Sequence, residues 1–290
     1  MRNSLSLIAR TLRSPLFPRS VSYKLWSAAK KRSKGERFFY RTTLRGRSVE
    51  YGGVCGYSDD ALFVDLNQYE LDTIEVISKV LGSKPIIFDI GANNGAYLMI
   101  LKSINPDAEI HCFEPFPQLA SFLRELTRRN RFADVFLTES LVGAKNQDAN
   151  LFFAEGATDT ASVVSDFQAG FNCQLSAKQY SIDSYIRSKP RSIPTLIKID
   201  VEGGELEVIE GALQTLADSR PDLILELLFT EKPIHLQRQV RVVELLQSLN
   251  YRFFQVQTGG QLSHQSSVNP DPHYAFLNYL VTVKDPALFA

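Results

Sequence analysis

The sequence of 290 residues is poor in cysteine and has no long apolar run. Its three cysteines, Cys55, Cys112 and Cys173, include no Cys-x-x-Cys pair. This argues against a disulfide scaffold and a structural zinc site, and it suits a reducing cytosol. No stretch of about 18 apolar residues is present, so we expect no membrane-spanning helix. The four histidines show no metal-ligand spacing. We therefore predict a cytoplasmic protein without a bound metal.

The net charge is zero, but its distribution is uneven. Residues 1–49 hold 13 lysines and arginines and one acid, Glu36, which gives +12 and leaves −12 for the remainder. Such a basic segment can contact an anionic membrane surface, a nucleic acid or an acidic partner. A solvated extension and a transit peptide have a similar composition. We predict peripheral membrane or acidic-partner contact, without specific nucleic-acid binding.

Three regions follow one another along the chain. Residues 1–49 form the basic extension. Residues 50–84 form a smaller subdomain with a strand-like stretch at 61–66 and a helix whose apolar residues recur at helical spacing from Leu71. Residues 85–290 alternate between short apolar strands and amphipathic helices and form the main domain.

The main domain is predicted to be an α/β domain of Rossmann-like type. Strands joined by helices indicate a parallel sheet with helices on both faces. The last two strands, 251–257 and 274–283, have no helix between them, which indicates an antiparallel last strand. The spacing predicts a mostly parallel sheet of seven strands. The predicted strands before these two are 85–90, 108–115, 134–142, 195–202 and 221–229.

A glycine-containing loop follows the first predicted strand. Its sequence, DIGANNG, supplies Asp89, Gly91, Asn93 and Gly95. The glycines let the backbone turn sharply and approach a ligand, and open α/β sheets bind ligands at this end of their strands. Asn93 stands where a dinucleotide-binding loop has its second glycine. The loop therefore favours S-adenosylmethionine, whose amino-acid tail polar side chains can bind.

Two further strand ends carry acids. Glu114 follows the second strand, where a carboxylate can accept both ribose hydroxyls of an adenosyl cofactor. Asp200 and Glu202 alternate at the end of the fourth strand and can face one cleft. Either could remove the proton of a hydroxyl acceptor. The alternatives are a turn or helix cap for Asp89, Asp200 and Glu202 and a surface position for Glu114.

Three more residues are substrate-site candidates. Glu226 lies inside an apolar strand, where a charge is costly unless it is paired; we place it at the site, with a buried ion pair as the alternative. Asp159 and Thr160 lie in the irregular region 143–194, which can form an insertion over the site. The sequence favours a plain polar loop over substrate contact for these two residues.

Four motifs together resemble the FkbM family of methyltransferases. They are DIGANNG, FEPFPQLASFLRELTRRN, LIKIDVEGGELEVIEGAL and PDLILEL. The resemblance covers roughly residues 65–285. It implies a class I methyltransferase fold, S-adenosylmethionine as cofactor, and O-methylation of sugars or secondary metabolites. It further implies that Glu139 and Ser140 lie near the adenine. The alternatives are a non-catalytic adenosyl-binding or partner-docking protein and a dinucleotide oxidoreductase, which Asn93 disfavours.

Overall fold

The computed structural model describes residues 4–13, 19–30, 33–155, 157–228, 232–268 and 276–285. No helix within these ranges is both long and apolar enough to cross a membrane. The helices are α1 (Ser4–Leu12), α2 (Arg19–Lys30), α3 (Leu71–Val80), α4 (Ala96–Ile104), α5 (Pro117–Asn130), α6 (Ile182–Ser188), α7 (Glu205–Glu210), α8 (Leu213–Asp218) and α9 (Pro233–Ser248). The strands are β1 (Arg37–Leu44), β2 (Arg47–Val54), β3 (Ile86–Ile90), β4 (Glu109–Phe113), β5 (Val135–Thr138), β6 (Leu141–Val142), β7 (Gln147–Ala154), β8 (Ala157–Ser162), β9 (Cys173–Tyr180), β10 (Leu196–Ile199), β11 (Asp222–Leu228), β12 (Arg252–Gln257), β13 (Gln261–Gln265) and β14 (Phe276–Thr282).

The main sheet has the order β13-β12-β14-β11-β10-β3-β4-β5 in the described part of the chain. Five neighbouring strands of this sheet, β11, β10, β3, β4 and β5, run parallel to one another. Strand β14 lies between β11 and β12 and is antiparallel to both. This confirms the predicted α/β fold with a mostly parallel sheet and an antiparallel last strand. The sheet has eight strands where seven were predicted. The extra strand, β13, forms because Gly259 and Gly260 adopt positive φ and reverse the chain after β12.

Helices cover both faces of this sheet, and successive strand residues point to opposite cores. On β10, Leu196 belongs to the core that also contains residues of α3, α4 and α5. Its neighbour Ile197 belongs to the core shared with α7 and α9. By the same alternation Lys198 follows Leu196 onto the first face. A charged side chain therefore enters this layer, and the buried Asp89 of β3 lies on the same face.

Residues 134–142 were predicted as one strand and are two. The chain leaves the main sheet after β5, and β6 starts a second sheet with the order β6-β9-β7-β8. The break falls at Glu139 and Ser140. The region predicted as an insertion over the site therefore contains a small sheet of its own.

The basic extension folds onto the body of the protein. Strand β2 crosses the predicted boundary between residues 49 and 50 and pairs with β1 along its whole length. Trp26 is buried against Phe38, and Phe39 stacks on Phe122 of α5 with ring centroids 5.2 Å apart. Aromatic burial on this scale joins the segment to the main core.

The prediction of a strand at 61–66 is wrong. A short 3-10 helix covers Asp59–Leu62 instead. Ala61 and Leu62 are both fully buried, whereas neighbouring residues of a half-buried strand face opposite sides. The Tyr40 hydroxyl donates to the Ala61 carbonyl and Arg13 donates to that of Leu62, which satisfies the carbonyls without a strand partner.

Candidate functional site

The loop between β3 and α4 makes a sharp turn at the centre of the sheet. Gly91 has φ 83°, Asn93 φ 45° and Gly95 φ 75°. A Cβ added at Gly91 would lie 2.0 Å from the backbone oxygen of Asp200. Only glycine allows this approach, which brings the loop directly against the end of β10.

Glu114, directly after β4, holds this loop from the other side. Its Oε2 accepts a hydrogen bond from the Asn93 amide at 2.9 Å, and its Oε1 accepts one from the Phe116 amide at 2.8 Å. Burial raises the pKa of Glu114 to about 7 even though both amide bonds favour the carboxylate. The acid is therefore a buried, fixed group beneath the loop.

The strand ends enclose a cavity of about 380 Å³, within the range of small-ligand sites. Eight of the predicted site residues line it, and Val163 and Ala161 of the insertion close part of its wall. The eight are Gly91, Asn93, Glu114, Ser140, Thr160, Asp200, Glu202 and Glu226.

Three acids converge at one end of the cavity. Carboxylate oxygens of Asp200, Glu202 and Glu226 lie within 4.8 Å of one another. Burial, followed by the neighbouring Asp200 charge, raises the pKa of Glu226 to about 10. Glu226 is then protonated at neutral pH and donates the hydrogen bond that joins it to Asp200. The acids are close enough to share one proton or one cation, and a lysine already lies beside them.

That lysine is Lys198, which was not among the predicted site residues. Its Nζ lies 2.9 Å from Asp200 Oδ2 and 3.8 Å from Asp89 Oδ1. Burial opposes ionisation of Asp200, but the Lys198 ammonium and the hydrogen bond from Glu226 together outweigh it and lower the pKa of Asp200 below its ordinary value. The sequence held a signal for Lys198, because a lysine inside an apolar strand needs a buried partner.

Two aromatic residues and a fourth acid form the wall next to this cluster. The Tyr97 hydroxyl donates to Glu70 Oε2 at 2.5 Å, and Tyr69 packs edge-on against Tyr97 with centroids 6.0 Å apart. Asn278 of β14 also donates to Glu70, at 3.3 Å. Sequence reasoning missed all four, because they come from segments far apart in the chain.

Comparison with known proteins assigns the family. Residues 89–253, more than half of the chain, match the family model described as the methyltransferase FkbM domain. The chain belongs to the FkbM methyltransferase family. This confirms the predicted family, and S-adenosylmethionine is the methyl donor that the assignment implies.

Individual relatives are more distant. The chain is 26% identical over 161 residues to the 2-O-methyltransferase NoeI of Sinorhizobium fredii; the match covers 50% of this chain and 65% of that protein. An FkbM methyltransferase from Methylobacillus flagellatus is 18% identical with a TM-score of 0.46, covering 77% of this chain and 52% of the other. Fibrillarin from Aeropyrum pernix, solved with bound S-adenosyl-L-methionine, is 12% identical with a TM-score of 0.42, covering 86% and 82%.

Some predicted residues of the FkbM domain do not line the cavity. Asp89 is fully buried below it beside Lys198, and burial raises its pKa. Gly95 faces Leu123, where a Cβ would lie 2.6 Å from a methyl group, so it serves the start of α4. The Glu139 side chain points to Arg124, 3.2 Å away. The side chain of Asp159 lies outside the described part of the protein.

The cavity of the FkbM domain fits an adenosyl cofactor. Asn93 Oδ1 and Ser140 Oγ are buried and have no hydrogen-bond partner among the described residues, and both residues line the cavity. Buried polar atoms are rarely left without partners. A ligand with amino and hydroxyl groups would supply them.

Proposed function

We propose that this protein methylates a hydroxyl oxygen of a sugar or of a secondary metabolite, with S-adenosylmethionine as the methyl donor. One observation carries the proposal: a single cavity joins the glycine loop and Glu114 to the cluster of Asp200, Glu202 and Glu226. The family assignment and the printed name of the 2-O-methyltransferase relative support oxygen as the acceptor atom.

One group of residues would bind the cofactor, and a second group would act on the acceptor. Gly91, Asn93 and Ser140 would hold the cofactor through backbone and polar side-chain contacts, and Glu114 would accept from its ribose hydroxyls. When bound, S-adenosylmethionine supplies an electrophilic methyl group. Fixing an acceptor oxygen in line with that group provides much of the possible acceleration.

The acid cluster acts on the acceptor. A hydroxyl that gains a methyl group must lose its proton, and a carboxylate within hydrogen-bond reach can take it. Asp200 is the better placed of the two predicted bases because Lys198 keeps it ionised. Glu202 lies beside it on the turn after β10 and can orient the same hydroxyl. Glu226, being protonated, cannot serve as the base.

Transfer of tritium from methyl-labelled S-adenosylmethionine to sugar-containing metabolites tests the proposal. We expect label in an alkali-stable methyl ether. Titration calorimetry should show micromolar binding of S-adenosylhomocysteine and no binding of NADH. Binding of NADH, or label only in alkali-labile esters, would contradict the proposal.

The partner of the basic segment 1–49 is a second proposal. On helix α2, Val21 and Leu25 are 41% and 48% exposed on one face, with Lys24 between them. An exposed lysine between exposed apolar side chains, in a segment with a net charge of +12, fits an anionic lipid surface. The protein should sediment with phosphatidylglycerol vesicles but not with phosphatidylcholine vesicles. Lys24→Glu/Leu25→Glu should abolish this, whereas Ile193→Glu, an exposed apolar position elsewhere, should not. Equal sedimentation of both variants would exclude this surface.

A further inference from the structure

Lys198 is a charged residue at the centre of the main sheet. It lies on β10 between β3 and β11, opposite Asp89 in the register with β3, and its side chain is 6% exposed. Removing an ammonium group from water is costly unless partners replace the water. The partners of Lys198 therefore indicate what the residue does.

Those partners belong to both halves of the site. The Nζ lies 2.9 Å from Asp200 Oδ2 in the acid cluster and 3.4 Å from the Gly91 carbonyl in the cofactor loop. It also lies 4.7 Å from the centroid of the Tyr97 ring, a cation–π distance. Asp89, 3.8 Å away, supplies a second negative charge from below. One ammonium group thus contacts the loop, the acid and the aromatic wall.

We propose that Lys198 is a positioning residue whose ammonium fixes the Asp200 carboxylate and ties it to the Gly91 turn of the cofactor loop. The inference rests on the proposed function, in which Asp200 receives the acceptor proton. Binding of the cofactor against Gly91 would then set the position of the base through one side chain.

The surroundings of Asp200 make the role specific. Among the described residues, Lys198 is the positive group that contacts Asp200, and the other groups around it are acids and tyrosines. Without Lys198, burial and the carboxylates of Asp89 on β3 and Glu202 on the turn after β10 would oppose ionisation of Asp200, against the single hydrogen bond that Glu226 on β11 donates to it. Tyr97 on α4 and Tyr69 and Glu70 before α3 complete the surroundings and supply no positive charge.

A direct titration of Asp200 tests this without a known acceptor. In protein labelled with 13C at aspartate carboxyls, the Asp200 signal is the one lost in Asp200→Asn. We expect Lys198→Met to raise its midpoint by about one to three pH units, the usual effect of an adjacent opposite charge. The matched control is Lys102→Met. Lys102 is also buried, but its Nζ donates to the carbonyls of Pro106 and Ala108, far from the acid cluster in the chain.

Lys198→Met leaves Asp89 as an unpaired buried charge, which can prevent folding. The double variant Asp89→Asn/Lys198→Met removes that charge and should show the same raised midpoint. An unchanged Asp200 midpoint in both variants, or an equal rise in Lys102→Met, would overturn the proposal. Failure of the wild-type protein to bind S-adenosylhomocysteine would instead overturn the proposed function, and the Asp200 titration would distinguish the two failures.

Discussion

Glu114 should make cofactor affinity depend on pH near neutrality. Its pKa of about 7 reflects burial beneath the glycine loop, and only the ionised carboxylate can accept from both ribose hydroxyls. If the ionised form alone binds, apparent affinity falls in proportion to the ionised fraction. For a pKa of about 7, that fraction changes from about 0.9 at pH 8 to about 0.1 at pH 6. S-adenosylhomocysteine should therefore bind about tenfold more weakly at pH 6 than at pH 8.

Calorimetric titrations of the wild-type protein, Glu114→Gln and Glu139→Gln across this range test the reasoning. Glu114→Gln should bind S-adenosylhomocysteine weakly at every pH, and its affinity should not show the slope, that is, the increase of affinity with pH. Glu139→Gln is the matched control, because Glu139 lies outside the cavity and pairs with Arg124; it should keep the wild-type slope. Ionisation of the ligand is common to all three proteins and cancels in the comparison. An identical slope in Glu114→Gln would refute the assignment.

The same pKa affects stability with the opposite sign. Glu114 ionises at a higher pH in the folded chain than in the unfolded chain, whose glutamates titrate near the ordinary value. The unfolded state therefore loses this proton first, and the Glu114 contribution favours folding at low pH and weakens as pH rises toward about 7. Thermal unfolding without ligand should show Glu114→Gln gaining stability relative to wild type between about pH 5 and pH 8.

Three other predictions concern the site. Asp200→Asn and Glu202→Gln should each abolish methyl transfer while leaving S-adenosylhomocysteine affinity within about twofold. The exposed control Glu210→Gln should keep full turnover. Full activity in both site variants would remove the general-base assignment. Gly91→Ala should lose about 1–2 kcal/mol or more of unfolding free energy, measured by urea denaturation, because it forces a left-handed residue and a Cβ against the Asp200 carbonyl; Gly82→Ala, where nothing lies within 4 Å, should not. Treatment with a chelator should leave methyl transfer unchanged because Lys198 already neutralises Asp200; loss of activity that Mg²⁺ restores would show a metal at the acid cluster.

The centre of the main sheet could be predicted from the sequence because β3, β4 and β10 are buried on both faces. Such strands appear as short apolar runs, as at 86–90 and 196–199, and amphipathic helices between them fix the parallel order. The 3-10 helix at Asp59–Leu62 could not be predicted in this way. The carbonyls of Ala61 and Leu62 accept hydrogen bonds from the side chains of Tyr40 and Arg13, and a local pattern does not contain contacts so distant in the chain.

Some residues of the site could be predicted from the sequence and others could not. The glycine loop, Glu114 and Asp200 follow strands directly, so strand order was enough to place them together. Lys198 lies within an apolar predicted strand, and Glu70 lies in the segment 50–84, for which no site residue was predicted. Their roles depend on pairing across the sheet, between β10 and β3 for Lys198 and through Asn278 of β14 for Glu70. Sequence spacing cannot show such contacts.

The charge of the acid cluster supports the proposal that the acceptor is a neutral hydroxyl. Glu226 is protonated, and the ammonium of Lys198 compensates Asp200, so the cluster is less negative than its composition suggests. A fully ionised cluster would repel the electrons of an oxygen nucleophile as its proton leaves. A cluster of fully protonated acids would have no group to receive that proton. Lys198 and Glu226 together would keep Asp200 as a carboxylate able to accept it, next to the loop that would hold the methyl donor.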